Sequence, residues 1–159
     1  MQERFKQSLV YNSQPKLAAN LIELGNAAAA SLDSLMVHLV RLRASQLNGC
    51  AFCQHLHANE ARHAGEQQQR LDVLPAWHEV AVFTAAEKAA LRWTESLTLI
   101  ASDKVSDEAF NALHQHFSQQ QIIDLSITIA TINSWNRIAV GFNFAPAFSQ
   151  KLINNMEAN

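Results

Sequence analysis

Residues 122–144 form the longest apolar stretch of this 159-residue sequence, and their spacing is the strongest constraint on its fold. The apolar residues recur at steps of three and four, as on one face of an α-helix: Ile122, Leu125, Ile129 and Ile132. The β-branched residues of this stretch would also suit a strand, but no partner strand is evident elsewhere in the sequence. Asp124, Asn133 and Arg137 interrupt it too often for a transmembrane span. We therefore expect one long core helix and no membrane association.

Turn-forming residues are scarce, since the chain has only four glycines and three prolines, too few for the turns of an all-β fold. Helix-start signals recur instead: Pro15 suits a first helical turn, Asp33 and Ser106 can act as N-caps, and Thr84 and Ser118 begin capping-box sequences. These signals predict an all-α fold, a compact bundle of about six to seven helices with the C-x-x-C sequence at a helix N-terminus. We expect a single helical domain over residues 15–159, preceded by a polar extension, residues 1–14, that is either frayed or used in oligomer contacts.

Charge and termini exclude some classes of partner. The formal net charge is −2 and the basic residues are dispersed, so no nucleic-acid-binding surface is predicted. Arg41 and Arg43 are close in sequence, and we expect them on a solvated or partner-paired helix face. The charged residues 1–6 are not followed by an apolar region, so no secretory signal is predicted and we expect the chain in the cytoplasm.

The only two cysteines, Cys50 and Cys53, form a C-x-x-C sequence directly after the turn-forming pair Asn48-Gly49. The run that follows, from Cys50 to Ala64, reads as a helix, so both sulfurs fall in its first turn, where the partial positive charge of the helix N-terminus favours the thiolate. His57 lies four residues after Cys53 and shares the same helix face. This pattern predicts either a redox-active dithiol with a nearby base or a metal site.

Reduction of a peroxide by thiols needs a nucleophilic thiolate, a proton for the departing oxygen and a second thiol that resolves the sulfenic acid. Cys53 with His57 one turn away supplies the nucleophile and the base. Cys50 supplies the resolving thiol, because residues three apart in a helical turn have Cα atoms roughly 5–6 Å apart, which a disulfide can span. In a reducing cytoplasm a lone C-x-x-C is better explained by catalysis or metal binding than by a structural disulfide.

The sequence around this motif resembles the alkylhydroperoxidase D-like group of the carboxymuconolactone decarboxylase family. The resemblance rests on the run Leu39–Cys53, followed by His57, Glu60-Ala61-Arg62 and Gly65-Glu66. It continues less specifically from Ala85 to Ile138 and so covers most of the chain.

The resemblance implies an all-α fold, peroxidase or thiol-disulfide activity, and homo-oligomers built as trimers or hexamers. It also implies that Cys53 attacks a small hydroperoxide substrate, that Cys50 resolves the intermediate, and that a dithiol donor such as a lipoyl protein returns the electrons. Reasoning from the helix dipole alone favours Cys50, nearer the helix end, as the more acidic thiol. We follow the resemblance and expect Cys53 to be the peroxidatic residue.

One position departs from the family pattern. The family motif has a glutamate twelve residues before the first cysteine, where it completes a proton relay with the histidine, and this chain has His38 there. A neutral imidazole stabilises protonated His57 less well than a carboxylate does. Glu60, three residues after His57, could substitute in part, but charged residues on helices are more often solvated, and we expect that role for it.

Two alternatives to the redox function remain open. His38, Cys50, Cys53 and His57 could form a Cys₂His₂ metal site. The protein could also be a carboxymuconolactone decarboxylase-like enzyme without redox chemistry, although the C-x-x-C would then be unexplained. The three tryptophans, Trp77, Trp93 and Trp135, are expected to pack in the core or in an interface rather than bind a ligand.

Overall fold

The structure is a computed structural model that describes residues 2–148. These residues form eight α-helices and one 3₁₀ helix, and no strand. In chain order they are α1 (Gln7–Ser13), α2 (Pro15–Ala29), α3 (Ser34–Leu47), α4 (Ala51–His63), α5 (Gln68–Val73), the 3₁₀ helix (Leu74–Glu79), α6 (Ala85–Thr98), α7 (Asp107–Leu113) and α8 (Gln119–Phe142). The predicted all-α fold, with the C-x-x-C at a helix N-terminus, is confirmed.

The local signals place most helix starts correctly. Pro15 opens α2, and the side chain of Asp33 accepts a hydrogen bond from the Met36 N–H at the start of α3. Thr84 and Ser118 both form reciprocal capping boxes, which satisfy backbone N–H groups that would otherwise lack a partner.

The side chain of Ser106 accepts a hydrogen bond from the Ala109 N–H and caps α7, which ends at Leu113. Helix α5 ends at Val73, and the chain continues through Pro75 as the 3₁₀ helix, because proline near the start of that helix occupies a position where its missing N–H costs no hydrogen bond.

The residues expected to form an N-terminal extension include α1. The Arg4 N–H donates to the Phe142 carbonyl at 3.0 Å, and the Tyr11 ring packs edge-on against Trp135, so this segment covers the end of α8. At the other end, residues 149–159 of the expected domain lie outside the described residues.

Helix α3 lies at the centre of the bundle and contacts α4, α6, α8 and the 3₁₀ helix. One buried apolar cluster joins α3 to α6, α7 and α8, and includes Val40, Trp93 and Leu125. A second joins α3 to α4, α5, α6 and the 3₁₀ helix, and includes Leu39 and Trp77. The two clusters therefore pack on neighbouring faces of one helix.

Helix α8 is the long core helix that the apolar spacing predicts. It packs against α2, α3, α4 and α6. Its C-terminal end is closed by Asn143, whose positive φ of 57° is the left-handed conformation that commonly ends a helix.

A buried polar cluster fixes the turn between α3 and α4 to α8. Asn48 donates from its side-chain amide to the side-chain oxygens of Asn133 and Asn136, each at 2.9 Å. Asn136 in turn donates to the Ser45 hydroxyl at 3.0 Å, and that hydroxyl donates to the Arg41 carbonyl. The turn that leads into the C-x-x-C is thus tied to a helix 85 or more residues away.

We expect Asn136→Ala to lower the free energy of unfolding by about 1–3 kcal/mol, because it removes the partner of two polar side chains in the core. Urea denaturation followed by circular dichroism measures the change. Asn111→Ala, at an exposed position on α7, is the matched control. Equal stability of the two variants would mean that the cluster does not hold the turn.

Candidate functional site

The turn and the N-terminus of α4 position both cysteines. Gly49 has a positive φ of 63°, a conformation that glycine adopts readily, and it brings the chain into α4. Cys50 is the N-cap residue, and its sulfur accepts a hydrogen bond from the Cys53 N–H at 3.2 Å. The two residues form a disulfide with their Cα atoms 5.3 Å apart, within the range expected from their spacing.

The disulfide is buried among apolar residues where the start of α4 meets the end of α8. Cys50 and Cys53 pack with Ala139 and Phe144, and Phe52 contacts the Phe144 ring edge-on. Each cysteine borders a different cavity. Cys53 lines one of about 340 Å³ that also contains His57, and Cys50 lines another of about 660 Å³ on the other side of Phe52 and Phe144.

His57 is buried and held in a fixed orientation. Its Nδ1 lies 2.8 Å from Glu60 Oε2, one turn further along α4. Because a carboxylate can only accept, Nδ1 is the donor of this hydrogen bond. His57 and Cys53 line the same cavity.

The expectation that Glu60 is merely solvated is wrong. Its side chain is 41% exposed, yet its carboxylate accepts the hydrogen bond of buried His57. That hydrogen bond is the main cause that lowers the pKa of Glu60 below its usual value. Helix spacing alone allowed the contact. The hydrogen bond to buried His57 shows that the Glu60 side chain is turned toward it.

His38 lies beside this pair without joining it by a hydrogen bond. Its Nδ1 is 4.0 Å from Glu60 Oε2, too far for a hydrogen bond, and this buried atom has no hydrogen-bond partner among residues 2–148. Burial, helped by the charge of Arg41 and by His57, lowers the pKa of His38 against the opposing effect of Glu60. His38 is therefore neutral at neutral pH.

Arg41 and Arg43, expected on one solvated or paired face, have different surroundings. Arg43 Nε donates to Glu95 Oε1 at 2.8 Å. Arg41 instead lines the Cys53 cavity, where its Nη2 donates to the Gly25 carbonyl at 3.2 Å. It lies one turn after His38 on α3, the one sequence signal that could have placed it near the site.

Trp135 was expected in the core or in an interface, but it is half-buried and forms a wall of the Cys53 cavity. Trp77 and Trp93, by contrast, are buried in the core as expected. The residue pattern of α8 gave no indication that Trp135 lines the cavity that Cys53 borders.

The Cys₂His₂ alternative lacks structural support. In the part of the chain that the structure describes, no group of three or more His, Cys, Asp or Glu side chains is arranged to hold a metal ion. The two sulfurs that such a site would need are bonded to each other. Nor does any helix within residues 2–148 have the length and apolarity to cross a membrane.

Comparison with known proteins decides the family. The sequence profile of the carboxymuconolactone decarboxylase family matches residues 15–96, which include α2, α3, α4 and most of α6. The chain belongs to the carboxymuconolactone decarboxylase family. Within that family it is an alkylhydroperoxidase D-like (AhpD-like) protein, as the resemblance of its C-x-x-C region predicts.

Two relatives are similar in sequence. The uncharacterized protein YdfG of Bacillus subtilis (strain 168) is 42% identical over 111 residues, which are 70% of this chain and 76% of YdfG. A crystal structure from Agrobacterium tumefaciens is 36% identical, covers 93% of this chain and 100% of its own, and superposes with a TM-score of 0.86. That protein is described as of unknown function, with a suggested role in antioxidant defence as AhpD.

A third structure shares the fold alone. It is an uncharacterized peroxidase-related protein with an alkylhydroperoxidase AhpD core, from Ralstonia eutropha JMP134. It is 18% identical, covers 87% of this chain and 75% of its own, and has a TM-score of 0.75.

Proposed function

We propose that the protein is a thiol-dependent hydroperoxide reductase in which Cys53 is the nucleophile. The observation that carries the proposal is that Cys53 and a buried histidine, oriented by a carboxylate, line one cavity, while Cys50 stands within disulfide distance. This arrangement supplies the nucleophile, the acid–base group and the resolving thiol that the reaction needs.

The reaction has three balanced steps. His57 first takes the proton of the Cys53 thiol. The Cys53 thiolate attacks the outer oxygen of the hydroperoxide, the O–O bond breaks, and the departing alkoxide takes that proton from His57, which gives an alcohol and a Cys53 sulfenic acid. The Cys50 thiol then attacks that sulfur and releases water as the disulfide forms. A dithiol donor finally reduces the disulfide and becomes a disulfide itself.

The two cavities suggest separate routes for substrate and donor. The hydroperoxide would reach Cys53 through the cavity that contains His57. The donor, of the lipoyl-protein type, would reach Cys50 through the second cavity. A donor thiolate that attacks the Cys50 sulfur displaces Cys53 as the thiolate, which is the form needed for the next cycle. If donor dithiols are oxidised while another disulfide, rather than a hydroperoxide, is reduced, the activity is that of a disulfide reductase.

Cys53→Ser should abolish hydroperoxide consumption, because it removes the nucleophile. Cys50→Ser should instead give one turnover and stop with a sulfenic acid on Cys53, because nothing resolves it. Since the chain has no other cysteine, each variant is the control for the other. Single-turnover assays with mass spectrometry of trapped sulfenic acid measure both. Multiple turnovers by Cys53→Ser, or free thiols that persist in wild type under excess peroxide, would contradict the proposal.

Glu60→Gln should lower kcat/KM by about 10- to 100-fold, a part of the roughly 10²–10⁴-fold that acid–base catalysis contributes. An amide can still accept the Nδ1 hydrogen, but it cannot stabilise the imidazolium with a negative charge. Steady-state kinetics with a small hydroperoxide measures the change.

Two further variants complete this test of the relay. Glu23→Gln, at an exposed position on α2, is the control. His38→Gln should cost less than Glu60→Gln, because we propose that His38 acts on the relay only as a neutral neighbour of Glu60. A kcat/KM that is the same in wild type and Glu60→Gln would remove Glu60 from the relay.

We also propose that the chain acts in the cytoplasm as a homo-oligomer, a trimer or a hexamer, as the family resemblance implies. Three apolar residues of the N-terminal region are at least half exposed and line an apolar groove of about 420 Å³ that α1 and α2 form with the end of α8: Phe5, Leu9 and Leu17. Burial of this groove against another copy would stabilise the assembly. Light scattering should give the mass of three or six 17.7 kDa chains.

Leu17→Glu should shift the assembly toward smaller species, whereas Val82→Glu, at an exposed apolar position elsewhere, should not. A wild-type mass of one chain would contradict the proposal.

A further inference from the structure

Arg41 is a cation that faces the Cys53 cavity without a counter-ion. Its guanidinium has five N–H donors, and the hydrogen bond found for it is the one to the Gly25 carbonyl. Among residues 2–148, no carboxylate oxygen lies within 4.0 Å of it. Burial lowers the pKa of Arg41, but an arginine remains protonated at neutral pH. A largely desolvated positive charge thus stands at the edge of the reactive site.

The carboxylate of Glu60, which also lines the cavity, already has a hydrogen-bond partner. Glu60 attracts Arg41 over a longer distance, but its carboxylate accepts the hydrogen bond of His57. If it turned to Arg41, His57 would lose its partner. The donors of Arg41 are therefore free for an anion that enters the cavity, and a guanidinium binds a carboxylate through paired hydrogen bonds.

The other walls of the cavity are largely apolar. They come from α2, α4, α8 and the segment after α8, and include Leu21, Ile22, Leu56, Ile132, Trp135 and Phe144. The volume of about 340 Å³ falls within the range of about 300–1,000 Å³ that is typical of small-molecule sites. A ligand that fits this surface has an apolar body and one anionic group.

We propose that Arg41 binds the carboxylate of an amphipathic acid hydroperoxide, with the apolar chain against α2 and α8 and the hydroperoxide group at Cys53. This inference rests on the proposed function, since it names the substrate class of the same site. The carboxylate takes no part in the chemistry: the O–O bond is cleaved by Cys53 as before, and the products are a hydroxy acid, water and the disulfide. Arg41 determines which hydroperoxide is positioned for that attack.

A binding experiment tests the site independently of catalysis. Octanoate and octanamide are titrated into the oxidised protein and followed by NMR, because the two probes share a chain and differ only in charge. Wild type should bind octanoate more tightly than octanamide by about tenfold or more. Arg41→Met should lose that preference and Arg41→Lys should retain part of it. Arg92→Met, which removes a surface arginine paired with Glu108, should behave as wild type.

An activity experiment tests whether Arg41 selects the substrate by its carboxylate or acts on the reacting groups. A hydroperoxy fatty acid and its methyl ester are compared as substrates, and the acid-to-ester ratio of kcat/KM should fall about tenfold or more in Arg41→Met, mainly through KM for the acid. An equal loss for acid and ester would mean that Arg41 acts on the reacting groups and would overturn the inference.

Equal binding of the two octanoyl probes by folded wild type would also overturn it. If neither hydroperoxide is consumed by wild type while Arg41→Met still loses octanoate binding, the proposed reductase function fails and the anion site stands. Thermal unfolding of each variant confirms that it is folded.

Discussion

The buried hydrogen bonds between Asn48, Asn136 and Ser45 are the constraint on which the site depends. The C-x-x-C begins two residues after Asn48, and the helix that faces it across the cavity belongs to a distant part of the chain. Polar groups in a low-dielectric core are costly to leave unpaired, so a displacement of the turn relative to α8 would break several hydrogen bonds at once. Apolar contacts alone would resist such sliding far less, because they are not directional.

With that turn fixed, the positions of the reactive groups follow from helix geometry. Cys50 becomes the N-cap of α4, Cys53 falls in the first turn, and His57 and Glu60 follow at spacings that keep them on neighbouring turns. The end of α8 then closes over the cysteines with Ala139, and Phe52 and Phe144 separate the two cavities. The start of α4 thus places its two sulfurs at two different cavities.

The parts of this arrangement that are local in sequence were predictable from it. The N-cap at Asp33, the apolar spacing of α8 and the C-x-x-C helix each depend on residues within a few positions of one another. The positions of Arg41 and Trp135 at the cavity were not predictable, because they result from the packing of α3 and α8 around it. The spacing of apolar residues does not indicate which helix face lines a cavity. The contact of Glu60 with His57 was partly predictable: the spacing of the two residues allows it, but a solvated Glu60 side chain fits the same spacing.

His38 gains a physical explanation from the same geometry. The family motif has a carboxylate at this position, and here a carboxylate reaches His57 from its own helix instead, through Glu60. A protonated His38 would compete with His57 for that carboxylate, since both rings approach the same oxygen. Burial lowers the pKa of His38 and keeps it neutral, so at neutral pH the Glu60 carboxylate is left to His57 alone. As the pH falls toward and below the lowered pKa of His38, its protonation would divide the charge of Glu60 between two rings, so the proposed relay is best suited to neutral conditions.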